Sequence, residues 1–509
     1  MQDLLGMWNG LVVAIQPIYL LLAFAGAVLG TATGVLPGIG PSLAISLLMP
    51  VTFQIVDPLG AMIMFGGIFY GAMYGGSTTT ILINTPGESA SVVTAIDGYQ
   101  MARKGRAGAA LATSAIGSFV AGTLATFLLM VLAQPLVSIA LRFGPAEYFA
   151  LMVLSLCTVT AIGGGVPSKA AVSTLLGLLM STIGIDNTSG QLRFTFGMTS
   201  LYDGIDVVVA AVGLFAISEV LFGLGNLRKG TSPGVHLHGS LRMTATEWRR
   251  SAGAWLRGTF LGFFVGVLPG AGATIASFMS YGIERKVSKH SEEFGSGAIE
   301  GVAGPEAANN AAAGGGLVPL LTLGIPGSAT AAVMLAALHG YGINTGPLLL
   351  QSRPELVWGL IASLYIGNVM LLALNLPLIG LWVKVLRIPE AVLYPMIIGF
   401  AVLGVYSLNN NVVDLNIVLL IGVLGFVLRL YQFPLAPIIL GLVLGRLLET
   451  EFRRALIGAR GDWLVFVESP LAVSILALCI TFVALPLIIQ ARKSRRESAP
   501  NHSVEQGTV

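Results

Sequence analysis

Residues 26–40 read Gly-Ala-Val-Leu-Gly-Thr-Ala-Thr-Gly-Val-Leu-Pro-Gly-Ile-Gly, and residues 258–272 read Gly-Thr-Phe-Leu-Gly-Phe-Phe-Val-Gly-Val-Leu-Pro-Gly-Ala-Gly. The two stretches lie 232 residues apart and share an identical Gly-Val-Leu-Pro-Gly core. Glycine recurs every fourth residue, at 26, 30, 34 and 38 and again at 258, 262, 266 and 270. Such a row opens a groove along one helix face, and in lipid it lets a second helix approach closely. Helix packing accounts for the row. It does not account for the Pro-Gly-x-Gly that closes each stretch, at Pro37–Gly40 and Pro269–Gly272. That cluster interrupts the helix and frees backbone N–H and C=O groups. Inside a bilayer such groups are buried in protein or line a wet cavity. N–H groups at the start of the following helix suit an anionic ligand.

Composition says that the solvent is lipid. Apolar residues make up 55% of the 509 positions and charged residues 10%, against about a quarter charged in soluble chains. Apolar runs such as Ala107–Leu141 and Ser469–Gln490 exceed the roughly 20 residues that a crossing takes. The expected fold is therefore an all-α polytopic membrane protein with re-entrant or broken helices. The first basic residue is Arg103, so no secretory signal peptide is expected. Cys157 and Cys479 lie in apolar runs and suggest neither a disulfide framework nor a metal site. His236 and His238 sit in a polar stretch and read as solvated. A net charge of +3 gives no reason to expect nucleic acid. HExxH, GxSxG and P-loop patterns are missing, which argues against an enzyme or an ATP-driven pump.

A second match, at an offset of 240, aligns Gly75, Gly76, Pro86 and Gly87 with Gly315, Gly316, Pro326 and Gly327. A weaker one pairs Pro145 with Pro389. The expected organisation is a first transmembrane repeat over 1–225, a basic linker over 226–257, a second repeat over 258–490 and a polar tail over 491–509. The linker carries Arg228, Lys229, Arg242, Arg249, Arg250 and Arg257, and the positive-inside rule makes it cytoplasmic. The same rule makes Arg103–Arg106, Arg285–Lys289 and Arg492–Arg496 cytoplasmic, and the C-terminus with them. Both flanks of Gly258–Glu284 are then on one side. With about 11 residues to each side of Pro269–Gly272, each arm reaches about 16 Å, half a bilayer. A re-entrant hairpin is expected there; the alternative is one Pro-kinked span. Basic loops fall at non-equivalent places in the two halves, which predicts repeats of opposite orientation.

The second match is rich in hydrogen-bonding side chains. Residues 75–91 read Gly-Gly-Ser-Thr-Thr-Thr-Ile-Leu-Ile-Asn-Thr-Pro-Gly-Glu-Ser-Ala-Ser. A single Ser or Thr in a membrane helix often just bonds the preceding turn. A hydroxyl-rich break in both halves is a stronger sign of a site. The expected substrate-binding residues are Pro37, Gly38, Gly40, Ser42, Ser77, Thr78, Thr79, Gly87 and Ser89, with Pro269, Gly270, Gly272, Thr274, Gly327, Ser328 and Thr330. Asn84, Thr85, Glu88, Glu306, Asn309 and Asn310 are the candidates for a coupling cation. Glu88 and Glu306 stand in apolar surroundings, where a carboxylate is costly and marks function; the alternative is a helix cap. No cofactor is expected beyond possible Na+ as coupling ion.

The duplicated GxxxGxxxGVLPGxG, the YGGSTTTILINTPGE stretch and GPEAANNAAAGGGLVPLLTLGIPGS resemble the large membrane subunit of the tripartite tricarboxylate transporter family, over roughly residues 10–490. The resemblance implies uptake of citrate-like di- and tricarboxylates across the bacterial inner membrane, driven by a sodium or proton gradient. It also implies two partners, a periplasmic substrate-binding protein and a small four-helix membrane subunit. The rival readings are an anion channel and a passive membrane scaffold.

Overall fold

The computed structural model describes residues 2–36, 39–162, 166–186, 188–226, 241–268, 272–385 and 390–481. Pro37, Gly38, Pro269, Gly270, Pro389 and the 491–509 tail lie outside the described residues. The first half comprises α1 (Gln2–Ala14), α2 (Pro17–Val35), α3 (Pro41–Ile55), α4 (Pro58–Ile83), α5 (Thr94–Arg103), α6 (Ala107–Ala140), α7 (Pro145–Ile162) and α8 (Pro167–Ser181). A two-stranded antiparallel hairpin, β1 (Gly184–Ile185) with β2 (Leu192–Arg193), follows. Next come α9 (Val207–Ala211), a π-helical turn (Val212–Ile217) and α10 (Ser218–Asn226). The second half comprises α11 (Ala245–Val267), α12 (Gly272–Val287), α13 (Glu300–Leu323), α14 (Ala329–Gly340), α15 (Leu349–Ser352), α16 (Pro354–Asn375), α17 (Ile379–Val385), α18 (Glu390–Asn409), α19 (Val412–Leu430), α20 (Ala436–Gly458) and α21 (Val465–Glu468). A further apolar helix covers Pro470–Thr481. Among the described residues, seven helices are long and apolar enough to cross a membrane.

Proline starts many of these helices, at Pro17, Pro41, Pro58, Pro167 and Pro354, where its missing N–H costs nothing. α11 begins earlier than the apolar pattern predicts. Thr244 and Glu247 form a reciprocal capping box, and the helix runs unbroken from Ala245 through the stretch expected as linker. Residues 245–257 are thus the first half of α11. The apolar sequence after Pro354 is divided, because Pro377 falls between α16 and α17. α20 runs on to Gly458, with Arg453 paired to Glu449 at 2.7 Å on its polar turns.

The glycine rows sit where the backbones meet. A Cβ added at Gly26, Gly30 or Gly34 would stand 2.3, 2.5 or 2.3 Å from the carbonyl oxygen of Met64, Ile68 or Ala72 on α4. A Cβ at Gly258, Gly262 or Gly266 would stand 2.3, 2.2 or 2.3 Å from the carbonyl oxygen of Gly304, Ala308 or Ala312 on α13. These partners keep the same offsets of 232 and 240. Gly75 meets Thr31 as Gly315 meets Phe263, again at those offsets.

Both helix pairs beside the interruptions fold back. Arg257 on α11 donates to Glu284 on α12 at 2.8 and 2.6 Å, so the two arms are antiparallel and a single kinked span is ruled out. In the first half Tyr19 at the start of α2 donates to Asp57, just past α3, at 3.2 Å. α4 and α13 run in opposite directions. The Tyr70 hydroxyl lies against Gly314, while Ile81 and Val302 both crowd Gly98.

Three of the four basic clusters gather at one end of the molecule. Arg106 pairs with Glu247, and Arg250 bridges Glu293 and Glu300 at 2.6 Å each. Asp97 of α5 closes this end. Its carboxylate accepts the backbone N–H groups of Gly295, Gly297 and Ala298 at 2.9, 2.7 and 2.9 Å, and the Tyr281 hydroxyl at 2.9 Å. The fourth cluster lies outside the described residues.

Gly262→Val should force α11 off α13 and cost about 1–3 kcal/mol. Gly282→Ala, where a Cβ meets nothing within 4 Å, should be neutral or stabilising by up to about 1 kcal/mol. Thermal unfolding in detergent checks both; equal melting temperatures for the two variants would contradict the close approach.

Candidate functional site

The interruptions of both halves border one cavity of about 260 Å³. From the first half come Ser42 near the start of α3, and Glu88 and Ser89 beyond the end of α4. From the second come Gly272 and Thr274 of α12, and Gly327, Ser328 and Thr330 at the start of α14. The remaining wall is apolar and includes Phe69 and Met73 of α4, Val159 of α7, Phe215 of the π-turn, and Pro437 and Leu440 of α20. A second cavity, of about 560 Å³, shares Ser42, Glu88, Ser89, Phe215 and Ala436 with the first and adds Gly40, Gly87, Glu219 and Arg429.

Local structure explains why these residues converge. α4 ends at Asn84 and α13 at Gly324, both left-handed, with φ of 55° and 71°. That conformation stops a helix and suits Asn or Gly. The chain then crosses the end of the neighbouring glycine helix. A Cβ at Gly87 would stand 1.9 Å from the Gly34 carbonyl oxygen, and one at Gly327 3.3 Å from that of Gly266. The result is a tight crossing in the first half and a looser one in the second. α3 starts at Pro41, and its N-cap Gly40 offers no side-chain acceptor, so its first N–H groups are unclaimed by a cap; Gly40 and Ser42 both border the second cavity. α14 caps itself, Ser328 accepting from the Ala331 N–H at 3.2 Å. Across the cavity the Ser89 and Thr274 hydroxyls are hydrogen-bonded at 2.9 Å and join the two halves.

The other predicted residues fall elsewhere. Ser77, Thr78 and Thr79 are buried inside α4 and line neither cavity; Ser77 donates to the Tyr74 carbonyl and accepts from Ser114. Asn84 and Thr85 are exposed, and Asn84 serves as the end of α4. Neither borders the cavities, which separates them from the Glu88 with which they were grouped. Pro37, Gly38, Pro269 and Gly270 lie outside the described residues.

Glu306, Asn309 and Asn310 form a separate buried cluster on α13, each with no exposed surface. Thr94 of α5 donates to Glu306 Oε1 at 2.5 Å. Asn310 donates to Ser118 of α6 at 2.7 Å and to the Glu306 carbonyl at 3.1 Å. Glu306 Oε2, both side-chain polar atoms of Asn309 and Asn310 Oδ1 have no partner. Buried polar atoms are nearly always paired, so four orphans within two turns set this cluster apart from the rest of α13. The equivalent positions of α4, 240 residues earlier, are Gly66, Phe69 and Tyr70, so only the second half carries this cluster.

Sequence comparison agrees with the geometry. Residues 20–440 match the "Tripartite tricarboxylate transporter TctA family". The chain belongs to the TctA family. It is 51% identical over 486 residues, covering 96% of each chain, to a protein of Agrobacterium vitis called "Uncharacterized 52.8 kDa protein in TAR-I ttuC' 3'region". It is 52% identical over 234 residues to "Uncharacterized protein in TAR-II ttuC' 3'region" of the same organism, covering 46% of this chain and 97% of the relative. No solved structure matches. A TctA protein is one component of a tripartite transporter, so this chain is a multi-pass membrane component that works with partner subunits.

Several residues at the TctA cavities escape sequence reading. Phe215, Glu219, Arg429 and Pro437 come from helices without repeated motifs. Away from the cavities, Ser114 and Ser118, which meet Ser77 and Asn310, carried one signal, a four-residue spacing on α6 that puts both on one face.

With Cys157→Ser and Cys479→Ser as background, Ser89→Cys together with Thr274→Cys should cross-link on mild oxidation, since the parent hydroxyls are 2.9 Å apart. A chain cut once between the halves should then stay joined without reductant. Complete separation would contradict the convergence of the two breaks.

Proposed function

We propose that this TctA protein is the transport subunit of a secondary carrier for citrate-like di- and tricarboxylates in the bacterial inner membrane. Its substrate arrives from a periplasmic substrate-binding protein, and a small four-helix membrane subunit completes the assembly. The supporting observation is the cavity bordered by the breaks of both halves. It offers what a carboxylate needs: uncapped N–H groups at the start of α3, and the hydroxyls of Ser42, Ser89, Thr274, Ser328 and Thr330. Pro37, Gly38, Pro269 and Gly270 belong to the same reading through their place between the paired helices.

The two halves act as inverted repeats. The opposite directions of α4 and α13, and the matching backbone contacts at offsets of 232 and 240, support this. The basic end is cytoplasmic by the positive-inside rule, and the C-terminal tail carries basic residues of the same kind.

Coupling rests on Glu306, Asn309 and Asn310. Their orphaned acceptors, with the hydroxyls of Thr94 and Ser118 nearby, suit a sodium ion or a proton. Asn84 and Thr85 do not share that surrounding and drop out of the coupling role.

Vesicles containing the complete assembly test the reading. A carrier accumulates carboxylate above the external concentration and loses it when the ion gradient collapses. An anion channel only equilibrates, and a scaffold moves nothing. Glu306→Gln and Asn309→Ala should each cut gradient-driven accumulation at least about tenfold. Full accumulation by both variants would remove the coupling assignment.

A further inference from the structure

The two joined cavities hold few charges. Among their described lining residues Glu88 and Glu219 are acidic and Arg429 is the one basic side chain. Every other polar contact they offer is a neutral hydroxyl or backbone group. A dianion or trianion entering such a space meets two carboxylates and needs a cation to offset them.

Arg429 stands in the last full turn of α19. It pairs with Glu219, and its guanidinium lies 4.6 Å from the centre of the Phe222 ring. Both partners are on α10, three residues apart, directly after the π-turn. The π-turn and α19 approach closely through Gly213, where a Cβ would stand 2.9 Å from the Val418 carbonyl oxygen. The turn also puts Phe215 into both cavities. Side-chain exposures of 31% for Arg429 and 13% for Glu219 show a pair that is partly wet on the cationic side.

Glu219 presents to Arg429 the chemical group that a carboxylic acid substrate would present. A planar guanidinium accepts one carboxylate in place of another without new geometry, because its paired N–H groups match either. We infer that Arg429 binds a substrate carboxylate at the mouth of the second cavity, and that Glu219 is the resident anion which the substrate displaces. This rests on the proposed carboxylate function and deepens it. The resident carboxylate keeps the guanidinium satisfied when the cavity is empty. It also sets a threshold on affinity, since a monocarboxylate has to compete with a tethered rival while a di- or tricarboxylate keeps a second group for the hydroxyls around Ser42 and Ser89.

The test is thermal unfolding of the purified protein against acetate, succinate, tartrate and citrate, for the parent, Arg429→Gln, Arg429→Lys, Glu219→Gln and the Arg429→Gln, Glu219→Gln double variant. At least one di- or tricarboxylate should raise the parent melting temperature, and acetate should not. For that ligand Arg429→Gln and the double variant should both bind about tenfold or more weakly, and Arg429→Lys nearly as weakly. Glu219→Gln should bind about three- to tenfold more tightly. A purely structural ion pair gives another pattern: each single variant melts lower, the double variant recovers, and carboxylate affinity stays constant. That pattern, or a Glu219→Gln variant with parental or weaker affinity, overturns the exchange. A parent that no member of the panel stabilises instead overturns the carboxylate reading itself.

Discussion

Backbone-to-backbone contact between α2 and α4, and between α11 and α13, sets the positions of the rest. At three levels in each pair a carbonyl oxygen occupies the space that a methyl group would need. In lipid there is no apolar driving force to hold helices together, so close packing of bare backbone carries the association. The interruptions depend on it directly. Chain leaving α4 at Asn84, or α13 at Gly324, folds back over the end of a glycine helix because Gly34 and Gly266 leave room there. Helices held further apart would leave those backbone groups facing acyl chains without partners.

Much of this was legible in the sequence because a repeated motif reports a repeated contact. The offsets of 232 and 240 recur in the contacts, where matching glycines of the two halves meet matching carbonyls. The separation of α11 from α12 and the hairpin they form followed from proline and from the basic flanks. The start of α11 was not legible from hydropathy, since its first turns are polar; the capping box at Thr244 and Glu247 was the available signal. The cavity's apolar wall was illegible for a different reason. Val159, Phe215 and Leu440 are ordinary apolar residues, and only the tertiary packing turns them toward the breaks. Asn84 has a backbone role that its place in a polar motif did not announce, since its left-handed conformation ends α4.

The two halves share a scaffold and divide its polar chemistry. α4 is polar at Ser77–Thr80, where α13 has Leu317–Leu320; α13 is polar at Glu306–Asn310, where α4 has Gly66–Tyr70. Because α4 and α13 run in opposite directions, these two segments lie at one level, and both meet α6 through Ser114 and Ser118. The two halves thus meet in one buried polar layer rather than two. It sits between the cavity and the basic end, with Thr94 and Asp97 of α5 beside it.

That layer restricts how the molecule can rearrange. The hydrogen bonds of Thr94, Ser118 and Asp97 lash helices of the first half to those of the second, so prising the halves apart would strand a carboxylate and several amides in a dry interior. The residues of α7, α20 and the π-turn that line the first cavity are all apolar. Sliding the lashed bundle along that greasy partition breaks no charge-bearing contact at the cavity itself. The fold therefore has one stiff seam, laced by polar side chains, and one smooth seam beside the cavity.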